Sequence, residues 1–191
     1  WIMPTPAGNF FGLLLPFGLL GGLTFVALFM LHGSLFIALK TLDDMRERAR
    51  AFANREGIVA GVLLAVISIW GAAAYGNGVI SWILAIVSIG GVVFALAMNA
   101  RVREGWAFFG TALSIATLVA GVFVSMFPYV VKALDPAQSL SIADAASTPL
   151  TLQIMTIATA IFLPIVIGYQ IWSFWVFRKR LSTKHLTAAA H

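Results

Sequence analysis

The chain has 191 residues, 61% of them hydrophobic and 10% charged, a formal net charge of +5 and no cysteine. Soluble domains carry about 25% charged residues, so a mean hydropathy of +0.98 excludes a water-soluble globule. The missing thiols exclude disulfides, thiolate catalysis and sulfur-ligated clusters.

Five apolar runs are expected to form membrane-spanning helices, over residues 17–39, 58–75, 79–98, 106–127 and 150–177. About 20 apolar residues at roughly 1.5 Å each cross a hydrocarbon core of about 30 Å. The fold class is therefore an all-α integral membrane bundle, with residues 1–191 as a single membrane domain. The chain begins at Trp1 without a basic leader, which reads as a mature or incomplete piece of something longer.

The first run carries His32 and the pair Gly18 and Gly22. His32 has no Asp or Glu sharing the membrane with it, so it reads as a neutral histidine bonded to a carbonyl or hydroxyl between packed helices. A metal or haem ligand would need a partner. The following stretch, KTLDDMRERARAFANREG, mixes charge signs and is expected to be a solvated turn. The alternative is a short helix lying at the headgroups. The second run is the shortest and must stand near upright; Gly57, Gly61 and Ala65 recur at helical spacing on it. AAAYGNG is a tight hairpin turning on Gly76 and Gly78. In the fourth run Thr117, Gly121 and Ser125 repeat the small-residue spacing that lets helices approach in lipid.

Residues 139–152, SLSIADAASTPLTL, are a polar patch between two apolar runs. Thr148 is placed to cap the last helix, with Pro149 in its first turn, where a missing N–H costs nothing. Ser147 adjoins it. Asp144 lies just before, where a helix N-terminus favours an anion. Asp144, Ser147 and Thr148 are the candidate capping or subunit-contact residues. No catalytic, cofactor-binding or metal-ligating residue is singled out.

Eleven of the twelve Lys and Arg fall on one side if the spans alternate; Lys132 alone falls on the other. The positive-inside rule then puts the N-terminus outside and the C-terminus in the cytoplasm. The basic balance is an orientation signal and needs no nucleic-acid partner. Trp70, Tyr75, Trp82, Phe127 and Tyr129 mark outer helix ends, and Trp106, Trp172 and Trp175 inner ones, as interfacial rings should.

Four blocks occur in order: a helix headed by PFGLL, with HG and a closing ALKT; then MFPY; then DAASTPLTLQIMT; then FLPIVIGYQIWSFWVFR. In this order they resemble subunit II of the cytochrome bd-type quinol oxidases. The likeness runs over nearly the whole chain and is weakest across residues 58–98. It is to the C-terminal portion: family members carry further helices and a DGFD-type segment before this point, and no residue of that half is carried over. The resemblance implies a complex that oxidises quinol at the outer face and reduces dioxygen to water, taking protons from inside. It implies haem b and haem d, held with the quinol site by subunit I. Subunit II would be the heterodimeric partner, ligating no haem, in a bacterial or archaeal cell membrane and with possible small accessory subunits. The alternatives are a stand-alone transporter or channel subunit, which would need a polar midplane site and internal repeats, and an unrelated membrane assembly protein.

Overall fold

The computed structural model describes residues 16–131 and 139–177. Trp1, Lys132, Asp135, Arg178, Lys179, Arg180, Lys184, His185 and His191 lie outside them. The elements are α1 (Pro16–Lys40), α2 (Asp43–Tyr75), α3 (Val79–Ala100), α4 (Glu104–Met126), β1 (Tyr129–Val131), β2 (Leu140–Ser141), α5 (Ile142–Ala145) and α6 (Pro149–Val176). α1 to α4 and α6 are each long and apolar enough to cross a membrane.

α1 to α4 close into a bundle in which α1 packs on α2 and α4, and α3 on the same two helices. Its interior suits lipid surroundings. Large apolar side chains such as Val62, Ile86 and Phe123 face outward, while Thr24, Ser34, Ser88, Asn99, Thr111 and Ser114 are buried beside Leu28, Leu31, Leu35 and Leu64. Without a hydrophobic drive between helices, close backbone approach and hydrogen bonds hold such a bundle. At the α3–α4 crossing, Ser88 Oγ donates to Ser114 O at 2.9 Å and Ser114 Oγ returns a bond to Ser88 O at 2.7 Å. A Cβ on Gly91 would stand 2.8 Å from Gly110 O, and one on Gly110 would stand 2.8 Å from Gly91 O. The two backbones touch there.

The expected small-residue contacts are realised unevenly. A side chain on Gly57 would run into Leu96, and one on Gly61 would meet Val92 at 3.5 Å. Gly18, Gly21 and Gly22 have nothing within 4 Å among the described residues, so the expected close contact at Gly18 and Gly22 is not made there.

The charged stretch after α1 is not the solvated turn expected. It is the first part of α2, a single helix of 33 residues. Ala49, Ala53, Gly57, Ala60, Leu64 and Ile67 are buried at spacings of three and four, so one small apolar stripe runs from the charged part into the span. Asp43 and Asp44 stand in the first turn, where the helix dipole favours anions.

α3 ends in a paired closure: Val102 N–H donates to Asn99 O at 3.1 Å and Arg103 N–H to Met98 O at 2.9 Å. This geometry usually has glycine at its left-handed position. Here Val102 takes it, at φ 61°, where an L residue costs about 1–2 kcal/mol.

β1 and β2 pair antiparallel, Tyr129 opposite Ser141, before the one-turn α5. α6 stands off the bundle with none of its residues buried. Lys40 Nζ donates to Phe177 O at 2.8 Å, tying the end of α6 to the end of α1.

Candidate functional site

Three polar places stand out on this frame. The first is where α2, α3 and α4 meet beside the α3–α4 turn. Glu104, the first residue of α4, has only 3% of its side chain exposed. Arg46 binds its Oε1 twice, through Nη2 at 2.6 Å and Nε at 2.9 Å. Arg50 Nε lies 3.7 Å from the same oxygen, a charge contact longer than a hydrogen bond. One turn of α2 separates the two arginines, so both guanidinium groups reach the carboxylate from one helix face.

Asn99 completes the group. Its Nδ2 donates to Arg50 O at 3.1 Å and to Asn54 Oδ1 at 2.8 Å, while Arg50 Nη2 donates to Asn99 O at 2.7 Å. The two Nδ2 bonds fix the amide orientation. The cluster therefore latches the charged part of α2 onto the α3–α4 turn. None of Glu104, Asn99 and Asn54 stands out in the sequence. The available signal was the stripe of Ala49 and Ala53, which turns Arg46 and Arg50 toward the bundle.

The second place is His32, on α1 facing α4. Thr111 Oγ1 lies 2.7 Å from His32 Nδ1 and 2.9 Å from Phe108 O, so the hydroxyl bridges the imidazole and its own helix backbone. The imidazole also stacks on Phe108 with ring centres 4.2 Å apart. Of the two partners expected from sequence, a carbonyl or a hydroxyl, the structure supplies the hydroxyl of Thr111.

The third place is the corner before α6. Thr148 stands at its N-cap and accepts from Thr151 N–H at 3.5 Å, with Pro149 in the first turn. Asp144 does not serve the N-terminus of α6 as expected. Its N–H donates to Ser141 Oγ at 3.2 Å, and its Oδ2 accepts from the same hydroxyl at 2.5 Å. Ser141 thus caps α5 through the Asp144 N–H, and the Asp144 carboxylate holds the capping hydroxyl in place. Ser147 is exposed in the link between α5 and α6. Thr148→Ala is expected to cost about 1 kcal/mol as a lost cap. Asp144→Asn keeps an acceptor and should cost no more than about 0.3 kcal/mol. Thermal denaturation of the two purified variants ranks them; the reverse order would show that Asp144 serves more than α5.

Residues 2–177 match the family model described as cytochrome bd terminal oxidase subunit II. The chain belongs to that family. Among its relatives, the cytochrome bd ubiquinol oxidase subunit 2 of Bacillus subtilis is 37% identical over 175 residues, covering 88% of this chain and 51% of the relative. The probable cytochrome oxidase subunit 2 of Haemophilus influenzae is 28% identical over 220 residues, covering 98% and 58%. The cytochrome bd-I ubiquinol oxidase subunit 2 of Escherichia coli K12 is 28% identical, covering 96% and 58%. The chain thus spans between half and three-fifths of the length of these relatives. Membership of the subunit II family, with five spanning helices, makes this a multi-pass membrane protein and replaces the stand-alone transporter alternative.

Proposed function

We propose that the chain acts as the membrane scaffold of a bd-type quinol:oxygen oxidoreductase, paired with a haem-bearing subunit I. The family match over residues 2–177 carries this reading. In it, quinol gives up electrons and protons at the outer face, and dioxygen is reduced to water with protons from inside. Haem b and haem d belong to subunit I. His32, the sole described histidine, has Nδ1 bonded to Thr111 and its ring against Phe108, and no electron-transfer step is assigned to the described residues.

Copurification tests the proposal. The tagged chain is expected to bring down a partner whose spectrum has the red absorption of haem d. His32→Gln should leave every haem band in place. Isolation without any haem protein would overturn the scaffold reading, and loss of one band with assembly intact would make His32 a ligand.

The same reading sets the orientation. Lys40, Arg46, Arg48, Arg50, Arg55, Arg101 and Arg103 gather where α1 and α3 end and α2 and α4 begin. This end faces the bacterial cytoplasm by the positive-inside rule. In sealed vesicles, single cysteines at Arg48 and Lys179 should react with an impermeant reagent only from the inside, and one at Asp135 only from the outside. Outside labelling at position 179 inverts the map.

A further inference from the structure

At the bundle end opposite the Glu104 cluster lies a cavity of about 140 Å³, lined by all four helices of the bundle. Phe17 walls one side, packing edge-on against Trp70 and Tyr75 with ring centres 5.5 and 5.0 Å away. The lining reaches from Tyr75 and Met126, the last residues of α2 and α4, to Ser68 and Thr117. Ser68 stands seven residues before the end of α2, about 10 Å at 1.5 Å each. The cavity therefore runs from the helix ends into the apolar part of the bundle.

Four hydroxyls line it, and their unused bonding capacity decides what it holds. Ser68 and Ser81 are 7% and 6% exposed. Ser68 Oγ has no hydrogen-bond partner, so its proton and both lone pairs are unmet. Ser81 Oγ accepts from Asn77 N–H at 2.7 Å, which leaves its own proton to give. Thr117 Oγ1 donates to Leu113 O at 2.8 Å and Ser125 Oγ to Val122 O at 2.7 Å, which leaves both oxygens able to accept. The lining thus offers donors at Ser68 and Ser81 and acceptors at Ser68, Thr117 and Ser125. A guest that both donates and accepts meets them. A hydrocarbon would strand the Ser68 hydroxyl, and an unmet buried hydroxyl is costly in an apolar interior. A buried water needs about two to four polar partners and about 30 Å³ of space, and the cavity has room for more than one. We propose that the cavity is a water site: a small cluster of waters, entering at the ends of α2 and α4, bridges Ser68 to Ser81, Thr117 and Ser125 and hydrates this end of the bundle.

The chain has no cysteine, so an introduced thiol is its only one. The thiolate is the nucleophile, and a thiol in apolar surroundings stays protonated. Membranes carrying the tagged full chain are treated with methanethiosulfonate ethylammonium, and its attachment is read by mass on the isolated chain. Ser68→Cys and Ser81→Cys should each react at least tenfold faster than Val119→Cys. Val119 is the matched control: it is exposed and also stands seven residues before the end of its helix, α4. Adding Gly121→Leu to Ser68→Cys should slow the reaction at least tenfold, because Gly121 lines the cavity and the new side chain fills it. Thermal melting gives a second reading, which carries the test if the leucine variant does not fold. Ser68→Ala should lower the midpoint by roughly 2–4 °C, as loss of an ordinary hydrogen bond does in a chain of this size. In a dry cavity the same change removes a stranded hydroxyl and raises the midpoint. The proposal is overturned if Ser68→Cys or Ser81→Cys reacts no faster than Val119→Cys, if a folded Gly121→Leu variant does not slow Ser68→Cys, or if Ser68→Ala leaves the midpoint unchanged or higher.

Discussion

Replacing Glu104 by glutamine is expected to cost about 3 kcal/mol, the lower end of the range for breaking a buried ion pair by removing one partner. The amide can still accept one hydrogen bond from Arg46, but it leaves two guanidinium groups without their countercharge. The arginine side chains are 28% and 22% exposed against 3% for Glu104, so water offsets part of the loss and the upper end of the range does not apply. A loss of about 3 kcal/mol should lower the melting temperature by roughly 6–12 °C for a chain of this size. Removing the whole set, with Glu104→Leu, Arg46→Met and Arg50→Met together, should do less harm than Glu104→Gln alone, because no charge is then stranded. Thermal melting of the purified variants decides. An unchanged midpoint in Glu104→Gln would mean that the cluster is solvated and does not latch α2.

The second large effect is expected at Gly91. Gly91→Ala puts a methyl 2.8 Å from Gly110 O and 3.0 Å from Ser114 Cβ, where backbone stands in the way and cannot swing aside. Forcing α3 from α4 should cost about 1–3 kcal/mol in overpacking. It also stretches the reciprocal Ser88–Ser114 bonds, each worth about 0.6 kcal/mol in a membrane bundle. Gly90→Ala is the matched control: one position away, it meets nothing within 4 Å among the described residues. Gly90→Ala should be neutral or slightly stabilising, since alanine favours helix over glycine by about 1 kcal/mol. Equal melting temperatures for the two variants would refute the tight α3–α4 crossing.

The apolar spans were legible because their signal is local. Residues 17–39 were expected and α1 is Pro16–Lys40; residues 79–98 were expected and α3 is Val79–Ala100. The family likeness was legible for the same reason, as contiguous blocks such as DAASTPLTL. What escaped depends on partners distant in sequence. Glu104 looks like one more loop charge until Arg46, 58 residues away, folds onto it. The charged part of α2 looked like a turn because its buried stripe is alanine and glycine, which carry little hydropathy among so many charges. Gly18 and Gly22 had the same spacing as Gly57 and Gly61, yet among the described residues only the latter pair meets a facing helix. Spacing shows where a close approach is permitted; the partner helix decides where one occurs.

α2 is also longer than a membrane is thick. Its 33 residues run about 50 Å at 1.5 Å each, against a hydrocarbon core of about 30 Å. One rod therefore stands in two solvents. In the apolar part, an unmet backbone group costs several kcal/mol, so the helix there is obligatory. In the charged part, water can replace every backbone bond, and the helix persists only while Ala49, Ala53 and the Glu104 cluster hold it against its neighbours. The boundary near Gly57 is thus a natural fracture line: if the ion cluster opens, the rod frays back to the bilayer surface and stops there.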